Sequence, residues 1–358
     1  MRRALATASL LALLVAAPAA QARYDPVGAG VTRLVLQKSF RAFLKHDGLR
    51  ISTSGSARLK KGAVVLPVSG GKIDPISGKG TIEQEGTIGF VGKGKVPLRN
   101  LVLKTGHSPL IAKVGGGQLK VATSSRLALA REGFSTRFTA SKLRLTAKIV
   151  SRLNKKLRPS TPFVAGQPIG KVISKAEPST TKTLEQNRVE FVFAPAIAAK
   201  LEGLFVSLNP IAPAERAIGT GSSLFTAPIT AKGDIAPNGK GGTLRTAGAI
   251  ELLQLHAGQI FWRELSFDLA NGVVGAEVDI EPTPAYPGKL GPVSVFDLDM
   301  STASIAPDPK ARAIAVSGAR LGLQASTATY LNQAFAEGKE AFRTGEEIGT
   351  VSFVALGQ

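Results

Sequence analysis

The sequence predicts an all-β protein made of two tandem domains, each a two-sheet antiparallel β-sandwich with a short helix near either end. Three observations predict this fold class. Apolar and polar residues alternate at period two, turns rich in Gly and Pro separate these segments, and blocks of one half recur in the same order in the other half. Alternation at period two is typical of strands with one buried face, and runs of such strands favour a sandwich over an α/β fold.

The strand pattern is clearest in the second half. Residues 274–280 and residues 296–300 alternate apolar or small residues with polar ones. Turn sequences punctuate the chain at residues 69–71, 74–75, 115–117, 237–239 and 271–272. Because Gly, Pro, Asn and Asp favour tight turns, we expect neighbouring strands to pair antiparallel.

Two helices are predicted in each half, because apolar residues recur there at spacings of three and four. In the first half this pattern covers residues 34–44 and 149–157. The counterparts in the second half are residues 194–201 and 328–335.

Internal similarity indicates a duplication. Leu143 to Ala147 matches Leu321 to Ala325, and six residues further on Leu153-Asn154 matches Leu331-Asn332. The matches then continue from residues 163–172 to residues 342–351, and residues 80–90 match residues 242–252. We therefore predict domain 1 at residues 30–173, a polar linker at residues 174–187 and domain 2 at residues 188–358.

The N-terminal 22 residues are predicted to be a signal peptide. Arg2 and Arg3 precede an apolar segment, and Ala20-Gln21-Ala22 has the pattern of a cleavage site. Later apolar stretches are interrupted long before the ~20 residues that a membrane span needs. We therefore expect a secreted or cell-wall-associated protein without a transmembrane anchor. Cysteine is absent, which excludes disulfides, thiolate catalysis and thiolate-bound zinc.

Charge divides at the predicted linker. Residues 31–180 contain 28 Lys and Arg against 6 Asp and Glu, a formal net charge of +22, whereas residues 181–358 contain 14 against 18, a net charge of −4. The basic character thus belongs to one half and not to the fold. The basic residues that we select as candidates for polyanion binding are Lys93, Lys95, Arg144, Lys148, Arg152, Lys155 and Lys156.

No catalytic or metal site is predicted. The three histidines, His46, His107 and His256, are too far apart in sequence to share a helix or strand face. Carboxylates cluster only in the second half, at Glu277, Asp279, Glu281, Asp297 and Asp299. Residues two apart on a strand point the same way, so this pattern favours a solvated sheet face over a calcium site or a glycosidase-like acid–base pair.

Several short motifs follow one another in the first half. Residues 36–43 (LQKSFRAF) precede Leu66-Pro67-Val68 with Gly71 and Asp74, and residues 86–92 (GTIGFVG) come next. In this order they resemble the HtaA domain of exported actinobacterial proteins. The second half, through Phe193, Gly233-Asp234 and His256, resembles a more diverged member of the same family.

The resemblance implies a secreted or surface protein that binds haem for iron acquisition, with a tyrosine of the first helix as ligand and a histidine in support. In this sequence the tyrosine position falls on Phe43 in the first half and near Lys200 in the second. The histidine position falls on Lys93 in the first half, and only His256 keeps it. The ligand set that the resemblance implies is therefore incomplete in both halves, with His256 as the one candidate haem-binding residue.

Two functions follow from these observations. The first is a non-enzymatic exported binding protein of HtaA-like fold with haem as its ligand. The alternative is a cell-envelope structural or adhesion module whose basic half binds anionic wall polymers through counterion release. Nucleic acid is not expected as a partner, because few aromatic residues lie among the basic ones to stack on bases.

Overall fold

The computed structural model describes residues 24–106, 109–217, 224–255, 258–281 and 288–358. The predicted signal peptide lies outside the described residues, as do His107 and His256. Within the described part, β-strands dominate and four short helices accompany them. The all-β class with short helices that the sequence predicts is confirmed.

The first half contains twelve strands and two helices within its described residues. They are β1 (Asp25–Leu36), α1 (Lys38–His46), β2 (Arg50–Ser54), β3 (Arg58–Lys60), β4 (Ala63–Ile73), β5 (Gly80–Gln84), β6 (Thr87–Val91), β7 (Lys95–Lys104), β8 (Pro109–Val114), β9 (Gly117–Thr123), β10 (Arg126–Glu132), β11 (Ser135–Leu145), α2 (Ala147–Leu157) and β12 (Pro168–Pro178).

These strands form one antiparallel sheet that curls back on itself. Its order is β2-β6-β7-β5-β4-β1-β12-β11-β9-β8, and β8 also pairs with β7. The strands from β7 through β1 to β8 therefore make a closed ring. The two facing layers that the sequence predicts are continuous through hydrogen bonds.

The second half repeats this arrangement with fourteen strands and two helices in its described part. They are β13 (Thr181–Lys182), β14 (Arg188–Phe193), α3 (Pro195–Gly203), β15 (Val206–Ile211), β16 (Glu215–Arg216), β17 (Leu224–Pro228), β18 (Asp234–Ile235), β19 (Gly242–Arg245), β20 (Ala249–Gln254), β21 (Gly258–Asp268), β22 (Val273–Ile280), β23 (Lys289–Asp299), β24 (Ser304–Asp308), β25 (Ala313–Leu323), α4 (Ala325–Phe335) and β26 (Glu347–Leu356).

The ring of the second half has the same order as the first. The path from β19 runs through β21, β22, β23, β25, β26 and β14 to β17. A bridge between Ile229 and Thr246 then links the ends of β17 and β19 and closes the ring. Equivalent strands thus follow each other in equivalent order, as expected for a duplication.

Each helix packs an apolar face on the core of its own half. Helix α1 buries Phe40 and Leu44, which are four residues apart and so lie on one face. Helix α2 buries Ile149, Leu153 and Leu157 in the same way. The first predicted helix began too early, at residue 34. Leu34 and Leu36 are instead buried on one face at the end of β1, on either side of the half-buried Val35, because the β1–β12 ladder continues to Leu36.

The predicted linker differs from the structure at its start. Residues 174–178 form the end of β12, and β1 begins at Asp25, before the predicted domain start. The polar sequence there conceals a strand because Ser174 is fully buried and its hydroxyl forms a hydrogen bond of 2.8 Å with that of Thr32. Buried hydroxyls that pair with each other substitute for apolar contacts at this point.

The two halves contact each other at a junction that contains both polar and apolar residues. Thr181 of β13 donates its hydroxyl to the carboxylate of Asp25 on β1, at 2.8 Å. Phe134, in the turn between β10 and β11, packs against the core of the second half. Gly133 of the same turn lies close to Pro309: a Cβ on Gly133 would stand 2.8 Å from the carbonyl oxygen of Pro309.

Candidate functional site

Helix α2 presents a row of cations to solvent. Lys148, Arg152, Lys155 and Lys156 are all exposed, while the opposite face of the helix is buried in the core. Lys155 and Lys156 lie in the last turn, where positive charge complements the partial negative charge of the carbonyl ends. The helix therefore separates an apolar face from a strongly basic one.

The turn between β6 and β7 packs against the C-terminal end of α2. The backbone N–H of Lys93 donates to the carbonyl oxygen of Leu157, and Gly94 lies against the carbonyl of Lys156. A Cβ at Gly94 would stand 2.4 Å from that oxygen, so this approach requires glycine. Lys93 and Lys95, both exposed, are thereby brought to the end of the helix.

Two arginines of this surface are fastened to neighbouring loops. Arg152 donates from its guanidinium to the carbonyl of Val114, at the end of β8. Arg144, just before the helix, donates to the carbonyl of Gly166 at 2.9 Å. Each contact uses one of the five N–H groups of the guanidinium, so the remaining donors are available to a ligand.

We call these seven residues the basic surface: Lys93, Lys95, Arg144, Lys148, Arg152, Lys155 and Lys156. The structure brings to one region side chains that are up to 63 positions apart in the sequence. None of the seven has a carboxylate within 4.0 Å among the described residues. Arg158, which ends the helix in a left-handed conformation, is a further exposed cation beside them.

The same region of the second half has different chemistry. Helix α4 contains neither Lys nor Arg. The strand register places Leu255, and not His256, at the position of Lys93, so the expectation that His256 keeps the family's histidine position is wrong by one residue. Phe205 follows α3 where Gly48 follows α1. Phe205 and Leu255 are 85% and 74% exposed, so two apolar side chains are exposed here and one of them, Leu255, replaces a lysine of the first half.

The implied tyrosine position of the first half lies in an aromatic cluster. Phe43 is half-buried, with its ring centroid 5.1 Å from that of Phe163 and 6.2 Å from that of Phe40. Phe90 joins the cluster through Phe163, at 6.3 Å. These side chains fill the space with hydrocarbon and offer no atom that can bind iron.

In the second half Lys200 has the position of Phe43, six residues after the N-cap of its helix. Its ammonium group forms an ion pair with Glu346 and donates to the carbonyl of Ala341 at 2.7 Å. The same nitrogen lies 5.3 Å from the ring centroid of Phe342. Lys200 is therefore a structural cation that connects α3 to the segment after α4.

The histidines give no site in the described part of the chain. His46 is exposed at the end of α1 and its Nδ1 lies 2.9 Å from a carboxylate oxygen of Asp47. His256, the candidate haem-binding residue, and His107 lie outside the described residues. Within the described ranges, no three His, Asp or Glu side chains converge as a metal site would require.

Three of the five clustered carboxylates of the second half contact neighbouring side chains. Asp279 forms an ion pair of 2.7 Å with Arg263, and Asp299 forms one of 2.9 Å with Arg320. Hydrogen bonds from Ser301 and Arg320 lower the pKa of Asp299 to about 2. Asp297 accepts from Gln324, while Glu277 and Glu281 are exposed. This is a solvated sheet face with ion pairs.

Two buried features were missed in the sequence. Trp262 donates its indole N–H to the hydroxyl of Tyr330 at 2.7 Å inside the second core. At the junction, burial raises the pKa of Asp25, and one of its carboxylate oxygens has no hydrogen-bond partner. The spacing of tryptophan and tyrosine gives no signal, whereas an aspartate at the start of a buried strand could have been noticed.

The solved structures that resemble this chain include two domains of one protein. The N-terminal domain of HtaA from Corynebacterium glutamicum matches with 14% identity and a TM-score of 0.35, over 50% of this chain and 98% of that domain. The C-terminal domain of the same protein matches with 16% identity and a TM-score of 0.34, over 42% of this chain and 98% of that domain. The motifs at residues 36–43 and 86–92 resemble the same family.

No family model matches the chain, and no curated protein matches it either. A search for membrane-spanning helices in the described ranges finds none of sufficient length and hydropathy.

Proposed function

We propose that this chain is an exported, non-enzymatic binding protein whose basic surface binds anionic polymers of the cell envelope. The observation that carries the proposal is the contrast between the halves. The first half exposes seven cations without carboxylate partners, and the equivalent positions of the second half carry none. Because the second half adopts the same fold without these charges, folding does not require them. A ligand of opposite charge explains their concentration at one place.

Counterion release is the physical basis of such binding. A polyanion holds a condensed layer of small cations, and a protein cation that neutralises one anionic group releases them. The seven side chains of the basic surface provide several such contacts at once. Because none of the seven has a carboxylate partner among the described residues, no ion pair must be broken first. Binding is therefore expected to weaken steeply as salt is added.

Co-sedimentation of the full chain with purified cell wall tests this function. The variant with Lys148→Gln, Lys155→Gln and Lys156→Gln removes three charges and keeps residues of similar helix propensity. Its matched control is Lys232→Gln, Lys240→Gln and Arg245→Gln, which removes three exposed charges from the second half. We expect the wild type and the control to sediment and to be released by salt, and the α2 variant to stay in solution. Equal sedimentation of all three proteins would contradict the proposal.

Haem is the ligand that the family resemblance implies, and we rank it second. A phenolate is the group that suits Fe(III) at the implied position. Phe43 has no donor atom, and the ammonium group of Lys200 is engaged with Glu346 and Ala341. His256 is then the one remaining candidate ligand. A haemin titration followed by absorbance distinguishes this ligand from the polymer.

A non-enzymatic role is supported by the state of the carboxylates. A pair of acid and base carboxyl groups works when one of the two keeps a proton that it can donate. Asp279 and Asp299 are instead held in ion pairs with arginine. The low pKa of Asp299 keeps that group ionised.

A further inference from the structure

We infer that the basic surface is matched to one class of polyanion, a linear polymer joined by phosphodiester groups, which lies along α2. The inference rests on the proposed function and adds the chemical class of the ligand. It follows from the spacing of the cations, from the rigidity of two of them and from the residues that lie between them.

The cations of α2 recur at a constant interval. Lys148, Arg152 and Lys156 are each four residues apart, and Lys155 lies beside the last of them. With a rise of about 1.5 Å per residue, the Cα atoms of successive cations are about 6 Å apart along the helix axis. All of them lie on the exposed face, since the residues between them include the buried Ile149 and Leu153.

The row continues beyond the helix. The hydrogen bond from Lys93 to Leu157 fixes the turn between β6 and β7 at the last residue of α2. Lys93 and Lys95 on this turn therefore add positive charge near the C-terminal end of α2.

A phosphodiester-linked polyol has anionic groups at a similar interval. Six backbone bonds separate successive phosphorus atoms when the polyol unit has three carbons. Two peptide residues contain the same number of bonds and extend to about 7 Å. A polysaccharide with carboxylates on alternate sugars has whole rings between its charges, so it cannot place one anion at each cation of the row.

The hydrogen bond of Arg152 to Val114 holds its guanidinium in place, and Arg144 is held in the same way by Gly166. A planar guanidinium with free N–H groups suits the paired oxygens of a phosphate. Fixing these side chains in advance reduces the entropy that a ligand must overcome.

Nucleic acid also contains phosphodiester groups, but a protein that binds single strands usually provides aromatic side chains as well. Proteins that bind single strands place aromatic rings against the bases. The exposed residue between the cations of α2 is Ser151, Asn154 is half-buried, and the nearest aromatic residue along the chain, Phe163, is buried. The surface thus offers charge without a stacking platform, which favours a polyol or glycan phosphate.

Fluorescence anisotropy with the full chain tests the inference. The probes are synthetic poly(glycerol phosphate) with twelve repeats, hyaluronate with twelve carboxylates, and a 13-nucleotide DNA strand with twelve phosphodiester groups. At equal salt we expect the poly(glycerol phosphate) to bind about tenfold more tightly than hyaluronate, the effect of one or two additional charge pairs. The DNA strand should not bind more tightly than the poly(glycerol phosphate).

A variant that moves one charge separates spacing from total charge. Lys148→Ser with Ser151→Lys keeps the net charge and shortens the row from three cations to two. We expect it to lose most of the preference for poly(glycerol phosphate) over hyaluronate and to retain hyaluronate binding. Equal affinity of the wild type for these two polymers, or tighter binding of DNA, would overturn the inference and leave the proposed function standing. Absence of binding to every probe at 50 mM salt would overturn both.

Discussion

The backbone N–H of Lys93 donates to the carbonyl oxygen of Leu157 across 3.3 Å and so ties the β6–β7 turn to the end of α2. Gly94 makes this contact close, because its Cα lies against the carbonyl of Lys156. The two parts of the basic surface come from distant parts of the sequence, and this contact unites them.

Substitution of Gly94 tests that contact. In Gly94→Ala the new Cβ would stand 2.4 Å from the oxygen of Lys156, so turn and helix must move apart. We expect the free energy of unfolding of the first half to fall by about 1–3 kcal/mol, as for other overpacked sites. The control is Gly203→Ala, where nothing lies within 4 Å. Urea denaturation measures both, and equal stability of the two variants would show that the turn does not press on the helix.

The pKa of Asp25 predicts how the junction responds to pH. Burial raises this pKa in the folded state, although the Thr181 hydroxyl, the Lys182 backbone, Arg312 and Arg131 favour the ionised form. A raised pKa means that the folded chain binds the proton more tightly than the unfolded chain. This site therefore contributes least to stability above the folded pKa, and its contribution grows as pH falls through that value.

The variant Asp25→Asn isolates this contribution. It has no charge to bury, and its side-chain oxygen can still accept from Thr181. We expect it to be more stable than the wild type at pH 7, with the difference shrinking at pH 4. Urea midpoints at the two values test this, since other carboxylates affect both proteins equally. A wild type that is more stable than Asp25→Asn at pH 7 would show that attraction to Arg312 outweighs the burial of charge.

The backbone of Phe205 is strained, whereas the first half has a glycine at the equivalent position. Its φ is 56°, whereas Gly48 occupies the equivalent position after α1 with φ of 65°. A left-handed conformation costs a residue with a Cβ about 1–2 kcal/mol, and part of this is offset by the greater flexibility of glycine when unfolded. Phe205→Gly should therefore raise the free energy of unfolding by about 0.5–1 kcal/mol. Thermal unfolding measures this, and the reciprocal Gly48→Phe should lower stability. A destabilised Phe205→Gly would mean that the exposed ring makes contacts that outweigh the strain.

Haemin provides a further test of the ligand. Phe43 and Lys200 cannot provide a phenolate ligand. We therefore expect the Soret band of haemin to be the same with the full wild-type chain as with His256→Ala. His256→Ala is the comparison, and Phe43→Tyr restores the residue type that the family resemblance implies. A Soret shift in the wild type that is lost in His256→Ala would establish haem as a ligand and contradict this expectation.

Much of the fold follows from local sequence. The alternation in residues 274–280 and the apolar spacing of Phe40 and Leu44 are sufficient to predict a strand and a helix. The start of α1 was misplaced because Leu34 and Leu36 suit either period, and the β1–β12 ladder decides between them. Ser174 was assigned to a linker because a buried hydroxyl cannot be recognised without its partner, Thr32.

The sequence predicts which cations belong to the candidate site, but it does not predict that they converge in space. The excess of cations in residues 31–180 is evident from composition, and the seven residues can be selected by their clustering. Their convergence depends on long-range packing, since Lys93 reaches α2 only through the contact of its turn with Leu157. The alignment of residues 80–90 with residues 242–252 already pairs Lys93 with Leu255 when it is extended, and the strand register confirms this pairing.

The salt dependence of polymer binding tests the central claim most directly. The affinity of the full chain for poly(glycerol phosphate) should be measured between 50 and 200 mM salt, for the wild type, the variant Lys148→Gln/Lys155→Gln/Lys156→Gln, and the control Lys232→Gln/Lys240→Gln/Arg245→Gln. With a slope of about 0.7–0.9 per neutralised phosphate, the α2 variant should lose about two units of slope in log affinity against log salt. The control should keep the slope of the wild type. Equal slopes in the two variants would contradict the claim that the basic surface on α2 binds the polymer.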